Sequence, residues 1–252
     1  MALFEMHIFS EALGIQTTVN VIMPQRSTNG EIGVSGGSKE EKYKCLYLLH
    51  GLSDDYSIWL RRTSIERYAA DYGICVVMPS ADRSFYTDMK YGGKYFTYVS
   101  DELPRLMREF FNVSDKREDN FIAGLSMGGY GALKIGMRCP ETFGAAAGLS
   151  SVADIRDVLS WTGVTIPIFG DSLEVPPSED LFFLAEEGAK KEVKPRLYMG
   201  VGTSDYLYDG NVRLKEKLKS LPYDFTYYEA EGEHNWEFWE TNIRNVLGWM
   251  FG

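Results

Sequence analysis

The chain has 252 residues, is 44% apolar and sets 36 acidic against 26 basic side chains, for a formal net charge of -10. That length and apolar content suit one large α/β domain with a packed core. The acidic balance argues against nucleic acid or an anionic membrane as a partner. No run is apolar enough for a membrane span, and the N-terminus lacks the basic and apolar regions of a signal peptide. Cys45, Cys75 and Cys139 are an odd count with the first two in strand-like runs, so free thiols and a cytoplasmic location are expected. A homo-oligomer stays open.

In chain order, Leu3 to Ser10 and Ile15 to Met23 alternate loosely between apolar and polar and are joined at Leu13-Gly14, which predicts an antiparallel strand pair. Pro24 to Lys42 is glycine-rich and poor in apolar side chains, so an exposed loop is expected. Lys44 to His50 is a continuous apolar run of the kind covered on both faces of a sheet. It ends in His50-Gly51-Leu52-Ser53-Asp54-Asp55. Ser64 to Tyr72 reads as a helix, and Ile74 to Met78 as a second buried strand stopped by Pro79. Tyr95 to Phe111 has helical spacing, with Pro104 expected to kink it or to mark a first turn.

Further on, Phe121 to Ala123 predicts a strand, Gly129 to Arg138 a helix and Phe143 to Leu149 a strand of small residues. Residues 151–194 break the rhythm and are expected to form an irregular, partly helical insertion over the active site. Regularity returns with the strand Arg196 to Gly202, the helix Asn211 to Leu221, the strand Phe225 to Glu229 and a closing helix Trp236 to Met250. Alternating strands and helices behind a hairpin predict a mostly parallel, doubly wound sheet in a three-layer sandwich. No stretch resembles a linker, so residues 1–252 read as a single domain.

The chemistry centres on Gly124-Leu125-Ser126-Met127-Gly128, a G-x-S-x-G pentapeptide. Alone, such a pattern arises by chance in about one in ten chains of this length. Its flanks decide the matter: a strand runs in and a helix runs out, the setting of a nucleophile elbow. A serine on so tight a turn needs small neighbours two residues either side, and both are glycine. Its hydroxyl then stands at a helix N-terminus, where the dipole favours a developing oxyanion.

A serine needs a base, and the base needs an acid to hold its tautomer. In this architecture the order is Ser, then Asp or Glu, then His. Of His7, His50 and His234, only His234 follows Ser126, in the loop Gly232-Glu233-His234-Asn235-Trp236. The acid should follow the preceding strand. Asp205, in Gly200-Val-Gly-Thr-Ser-Asp205, is preferred, with Asp209 as its rival unless it begins the next helix. The backbone amides of Leu52 and Met127 are the candidate oxyanion hole, and His50 is read as pinning the Leu52 loop by hydrogen bonds. Trp161, Phe169 and Trp236 are candidate walls of the substrate pocket, although the core competes for each. No His, Cys or Asp cluster has ligand spacing, so neither metal nor cofactor is expected.

Tyr47-Leu-Leu-His-Gly-Leu52, Gly124-Leu-Ser-Met-Gly-Gly-Tyr-Gly-Ala132, the Asp205 turn and the Glu233-His234 loop together resemble the esterase D branch of the α/β-hydrolases. The likeness covers nearly the whole chain. Ile58-Trp-Leu-Arg-Arg-Thr63 and Glu233-His-Asn-Trp-Glu-Phe-Trp239 look most like its bacterial tributyrin esterases. The resemblance implies the α/β-hydrolase fold, with Ser126 as nucleophile, Asp205 as acid, His234 as base and Leu52 and Met127 as oxyanion donors. Two departures count against S-formylglutathione as the main substrate. Asp54 stands where those hydrolases usually carry cysteine, and Asn235-Trp236-Glu237 replaces their aromatic run. The expectation is a serine carboxylesterase for short acyl esters of small molecules. Feruloyl or acetyl-xylan esters and S-formylglutathione are alternative substrates. A catalytically silent binding module would have no reason to keep all three residue types in order, and an acyltransferase on the same scaffold would show acyl transfer to an added alcohol exceeding hydrolysis.

Overall fold

The computed structural model describes residues 1–25 and 42–252. The expected exposed loop at Pro24 to Lys42 lies almost wholly outside the described residues. Strands β1 (Ala2–Ser10) and β2 (Ile15–Met23) pair antiparallel, with Ser10 opposite Ile15. Gly14 closes the hairpin at φ 70°, where a side chain would be strained, and donates its N–H to the Ser10 carbonyl at 2.8 Å. The remaining strands are β3 (Cys45–Leu49), β4 (Cys75–Pro79), β5 (Asn120–Leu125), β6 (Ala145–Leu149), β7 (Arg196–Gly202) and β8 (Phe225–Ala230). They form one sheet in the order β1-β2-β4-β3-β5-β6-β7-β8, in which only β2 runs against its neighbours.

Every residue of β3, β4 and β5 is buried, because helices cover both faces. Side chains alternate between the two cores. Cys45, Tyr47 and Leu49 of β3 enter one cluster, while Leu46 and Leu48 enter the other. The second cluster is roofed by α1 (Ile58–Arg62), α2 (Ile65–Tyr72) and α9 (Trp236–Phe251). Opposite lie α4 (Leu103–Phe110), α5 (Met127–Arg138), α7 (Leu181–Ala189) and α8 (Tyr208–Lys219).

Two stretches differ from the simplest reading of the sequence. Pro104 has no N–H to give to the carbonyl one turn back. The chain runs instead through a short α3 (Tyr95–Thr97) and a five-residue π turn, Tyr98–Glu102, which leaves Pro104 in the first turn of α4. The turn directs the buried Glu102 into the β1–β2 hairpin, where it accepts from Ser10 Oγ at 2.5 Å and from the Glu11 amide at 2.7 Å. Within 151–194, α6 (Thr162–Phe169) is followed by α7, which packs against α5 and α8 as an ordinary layer helix. Asp180 starts α7 by accepting from the amides of Phe182 and Phe183.

A buried ion network fixes α5 to its surroundings. Lys134, with no exposed side-chain surface, donates to Glu179 Oε2 at 2.5 Å, Thr87 Oγ1 at 2.7 Å and the Phe85 carbonyl at 3.0 Å. Arg138 reaches the other Glu179 oxygen at 3.0 Å, and the Tyr130 hydroxyl donates to the Glu179 carbonyl at 2.8 Å. All three Lys134 protons are thus used. Removing one partner of such a pair strands the other charge away from water. Glu179→Ala is expected to cost about 3–5 kcal/mol in urea unfolding, and Glu179→Ala combined with Lys134→Met to recover most of it.

Candidate active site

Ser126 stands alone between the end of β5 and the start of α5, at φ 54° and ψ −115°. That conformation is sparsely populated for a residue with a side chain and persists only where the surroundings impose it. Here they do. The Ser126 amide donates to the Leu149 carbonyl at 2.8 Å, and its carbonyl accepts from Tyr130 at 3.0 Å and Val152 at 3.3 Å. The two glycines of the motif are required by contact. A Cβ on Gly124 would lie 2.4 Å from the Gly128 carbonyl oxygen, and one on Gly128 would lie 2.5 Å from that of Leu49.

The loops after β7 and β8 close on this turn together. Gly202 is packed so tightly that a Cβ would lie 2.3 Å from the Gly232 carbonyl, which also accepts the Ser204 amide at 2.9 Å. These contacts bring Asp205 and His234 side by side. His234 Nδ1 lies 3.0 Å from each Asp205 oxygen, and His234 Nε2 lies 3.0 Å from Ser126 Oγ. The Asp205 side chain is fully buried and also accepts the Leu207 amide at 2.8 Å. A carboxylate only accepts, so Nδ1 carries the proton and Nε2 is free to accept from the serine. Asp209 is exposed in the first turn of α8, and His7 is exposed on β1.

Residues that sequence reasoning did not single out flank the imidazole. The Tyr206 ring lies 4.5 Å from that of His234, and the Trp239 ring meets it at 4.9 Å, nearly perpendicular. The Trp239 indole N–H donates to the buried Ser150 hydroxyl at 3.0 Å. Trp236 packs edge-on between Trp239 and Trp59, and the Trp59 indole donates to the Leu49 carbonyl at 3.0 Å. Three tryptophans thus link the ends of β3 and β6 to His234. Of the other pocket candidates, Trp161 is part-exposed just before α6. Phe169 is buried and lines a cavity of about 580 Å³ with Lys90, Phe96, Arg138 and Glu179, whose walls include none of Ser126, Asp205 or His234.

His50 shapes the loop after β3. Its Nε2 accepts the Ala81 amide at 2.9 Å, which leaves Nδ1 to donate to the Gly51 carbonyl at 2.7 Å. Asp54 adds a backbone N–H to the same carbonyl at 3.2 Å, and its carboxylate accepts the Gly51 amide at 3.2 Å. In a trans peptide the carbonyl and the following N–H point opposite ways. Holding the Gly51 carbonyl therefore fixes the direction of the Leu52 N–H, which finds no acceptor among the described residues. Met127 opens α5, where an amide has no carbonyl one turn back.

The family described as "Putative esterase" matches residues 10–250. The chain belongs to this family. The esterase is 33% identical over 263 residues to an acetyl esterase from Caldicellulosiruptor saccharolyticus, across 99% of this chain and 98% of that protein. It is similar to FphF, a fluorophosphonate-binding serine hydrolase from Staphylococcus aureus, at 30% identity and a TM-score of 0.90, covering 100% of this chain and 98% of that one. It is also similar to the S-formylglutathione hydrolase FrmB of Staphylococcus aureus, at 30% identity and a TM-score of 0.88, covering 100% and 99%. The fold is that of the α/β-hydrolases, and the protein is a carboxylic ester hydrolase. Among the described residues no His, Cys, Asp or Glu group could hold a metal ion, and no helix is long and apolar enough to cross a membrane.

Burial pushes the His50 imidazole below the ordinary histidine range, against the opposing pull of its bond to Gly51 and of nearby carboxylates. The unfolded chain binds a proton below about pH 6.5 that the folded chain refuses, so His50 weakens folding as pH falls through that value. Nitrogen-15 NMR of the histidine rings is expected to show His50 protonated at Nδ1 only, with resonances unmoved as the pH is lowered from 8 to about 6.5.

Proposed function

We propose that the esterase is a serine carboxylesterase that hydrolyses short-chain acyl esters through an acyl-enzyme. One observation carries this reading: a single hydrogen-bonded line from the buried Asp205 carboxylate through both nitrogens of His234 to Ser126 Oγ, 3.0 Å at each step. Ser126 Oγ attacks the ester carbonyl while its proton passes to His234 Nε2. Asp205 holds the tautomer and stabilises the imidazolium. The carbonyl oxygen becomes an oxyanion, received by the amides of Leu52 and Met127. His234 returns the proton to the leaving alcohol, then takes one from the water that releases the acid.

Short acyl groups are favoured because a similar protein, 33% identical, is an acetyl esterase. The FrmB likeness raises S-formylglutathione as a rival. Asp54 speaks against it as the main substrate, since its carboxylate is engaged with the Gly51 amide beside the proposed oxyanion donor. Three free cysteines, two of them buried, support a reducing, cytoplasmic setting.

Ser126→Ala is expected to lower kcat for p-nitrophenyl acetate by about 10⁴-fold or more while the thermal transition stays within a few degrees of the parent. A fluorophosphonate probe should phosphonylate Ser126 Oγ with loss of fluoride and the serine proton, adding the probe's mass less HF in the parent and nothing in the variant. Retained turnover, or labelling elsewhere, would sink the assignment. Comparing acyl chains from acetyl to octanoyl, with methyl ferulate and S-formylglutathione alongside, ranks the substrates directly.

His50→Gln tests the oxyanion loop. Freed of the imidazole, the Gly51 carbonyl can turn and carry the Leu52 N–H with it. The expected result is a fall in kcat of about 10- to 100-fold with KM changed far less, short of the 10²–10³ that losing a whole donor costs.

A further inference from the structure

The two ends of the sheet are built differently. The β8 edge is six residues long, carries Glu229, and has the Tyr227 ring covered by Lys215 at 4.7 Å. Charge and shortness are common ways of blunting an edge. The β1 edge is longer, and its one carboxylate, Glu5, lies beside His7. It runs nine residues from Ala2 to Ser10 with no lysine, proline or glycine, and among the described residues it pairs with β2 on one side only. Leu3, Phe4 and Phe9 are 51%, 43% and 56% exposed on it, and the Phe4 ring lies 5.3 Å from that of Phe111.

We propose that β1 is the docking edge for a second copy of this chain. The two strands pair antiparallel across a two-fold axis at Met6, extending each sheet into the other. The sequence of β1 is self-complementary in that register and in no neighbouring one. With residue numbers in each pair summing to 12, Leu3 faces Phe9, Phe4 faces Ile8, Glu5 faces His7 and Met6 faces itself. Each pair shares a face of the sheet, as strand alternation demands. Glu5 then opposes an imidazole, the apolar side chains from Leu3 to Phe9 oppose apolar ones, and the end pair sets Ala2 against Ser10. A slip to a sum of 10 would set Glu5 against Glu5 and Leu3 against His7. A slip to 14 would set His7 against His7 and Glu5 against Phe9. Like charges directly opposite are destabilising, and a buried unpaired carboxylate more so. Within one chain Glu5 Oε1 already lies 3.7 Å from His7 Nε2, so pairing closes an alternating ring of four groups.

The test reads both association and register. Sedimentation velocity of the whole protein at about 10 µM, where a Kd of 1 µM leaves mostly dimer, is expected to give twice the 28.6 kDa chain mass. Phe9→Lys, on the exposed edge and away from the proposed chemistry, should sediment as monomer with kcat/KM within twofold of the parent. For register, Cys139 is replaced by serine, since it is the one free cysteine not fully buried. Glu5→Cys, Met6→Cys and His7→Cys are then made singly in that background and oxidised with glutathione disulfide. Met6→Cys should yield the covalent dimer fastest. A monomeric parent, a Phe9→Lys protein that still sediments as dimer, or fastest cross-linking from Glu5→Cys or His7→Cys would overturn the proposal. Far-ultraviolet circular dichroism confirms that each variant is folded.

Discussion

The backbone of Ser126 is held where a serine does not sit by choice, and much of the surrounding structure serves to hold it there. A left-handed φ on a residue with a side chain costs on the order of 1–3 kcal/mol. It is stabilised by two backbone bonds to β6 and its following loop, by a third from Tyr130 of α5, and by the close approach of Gly124 and Gly128 to each other and to β3. The same approach explains why α5 can begin directly after β5. Behind its first turns, the Lys134–Glu179–Arg138 network ties α5 to the loops at residues 85–87 and 179. Strain at one residue is thus balanced by burial across an entire helix.

From that turn the rest of the site follows by loop packing. β5, β6, β7 and β8 are adjacent and parallel, so their carboxyl ends, and the loops leaving them, fall on one rim. Ser126 leaves β5, Ser150 leaves β6, Asp205 follows β7 and His234 follows β8. Residues more than a hundred positions apart meet because neighbouring strands end together. The tryptophan chain from Leu49 to Ser150 gives His234 a firm backing independent of Asp205.

How much of this was legible in the sequence depends on range. Strand and helix order could be read because apolar runs such as Cys45–Leu49 and small-residue turns such as Gly124–Gly128 carry local signals. The three residues of the hydrogen-bonded line could be found because the chain holds only three histidines, and chain order left one. The π turn before Pro104 was not legible. A proline announces a missing N–H, but how the helix absorbs it depends on Glu102 meeting the β1–β2 hairpin 90 residues away. Tyr206 and Trp239 were overlooked for the same reason. An aromatic beside a loop reads as core until the position of a distant imidazole is known, and the place of α7 beside α5 and α8 needed the packing of three helices.

His50 and His234 show what position does to one side chain type. Both sit just past strand ends on the same rim, and both use two ring nitrogens. His50 is enclosed, gives its proton to a carbonyl and accepts from an amide, and a second proton on its ring would take that acceptor from the Ala81 N–H. Burial then keeps it neutral, and a neutral ring with one donor and one acceptor is a rigid spacer between two backbone groups. His234 has a carboxylate on one nitrogen and a hydroxyl on the other. A proton arriving at its Nε2 creates a charge that Asp205 can meet at once. The first arrangement suits a fixed spacer between backbone groups; the second suits the proton transfer proposed for His234. The two rings differ in what faces each nitrogen: a peptide carbonyl and an amide N–H in one case, a carboxylate and a hydroxyl in the other.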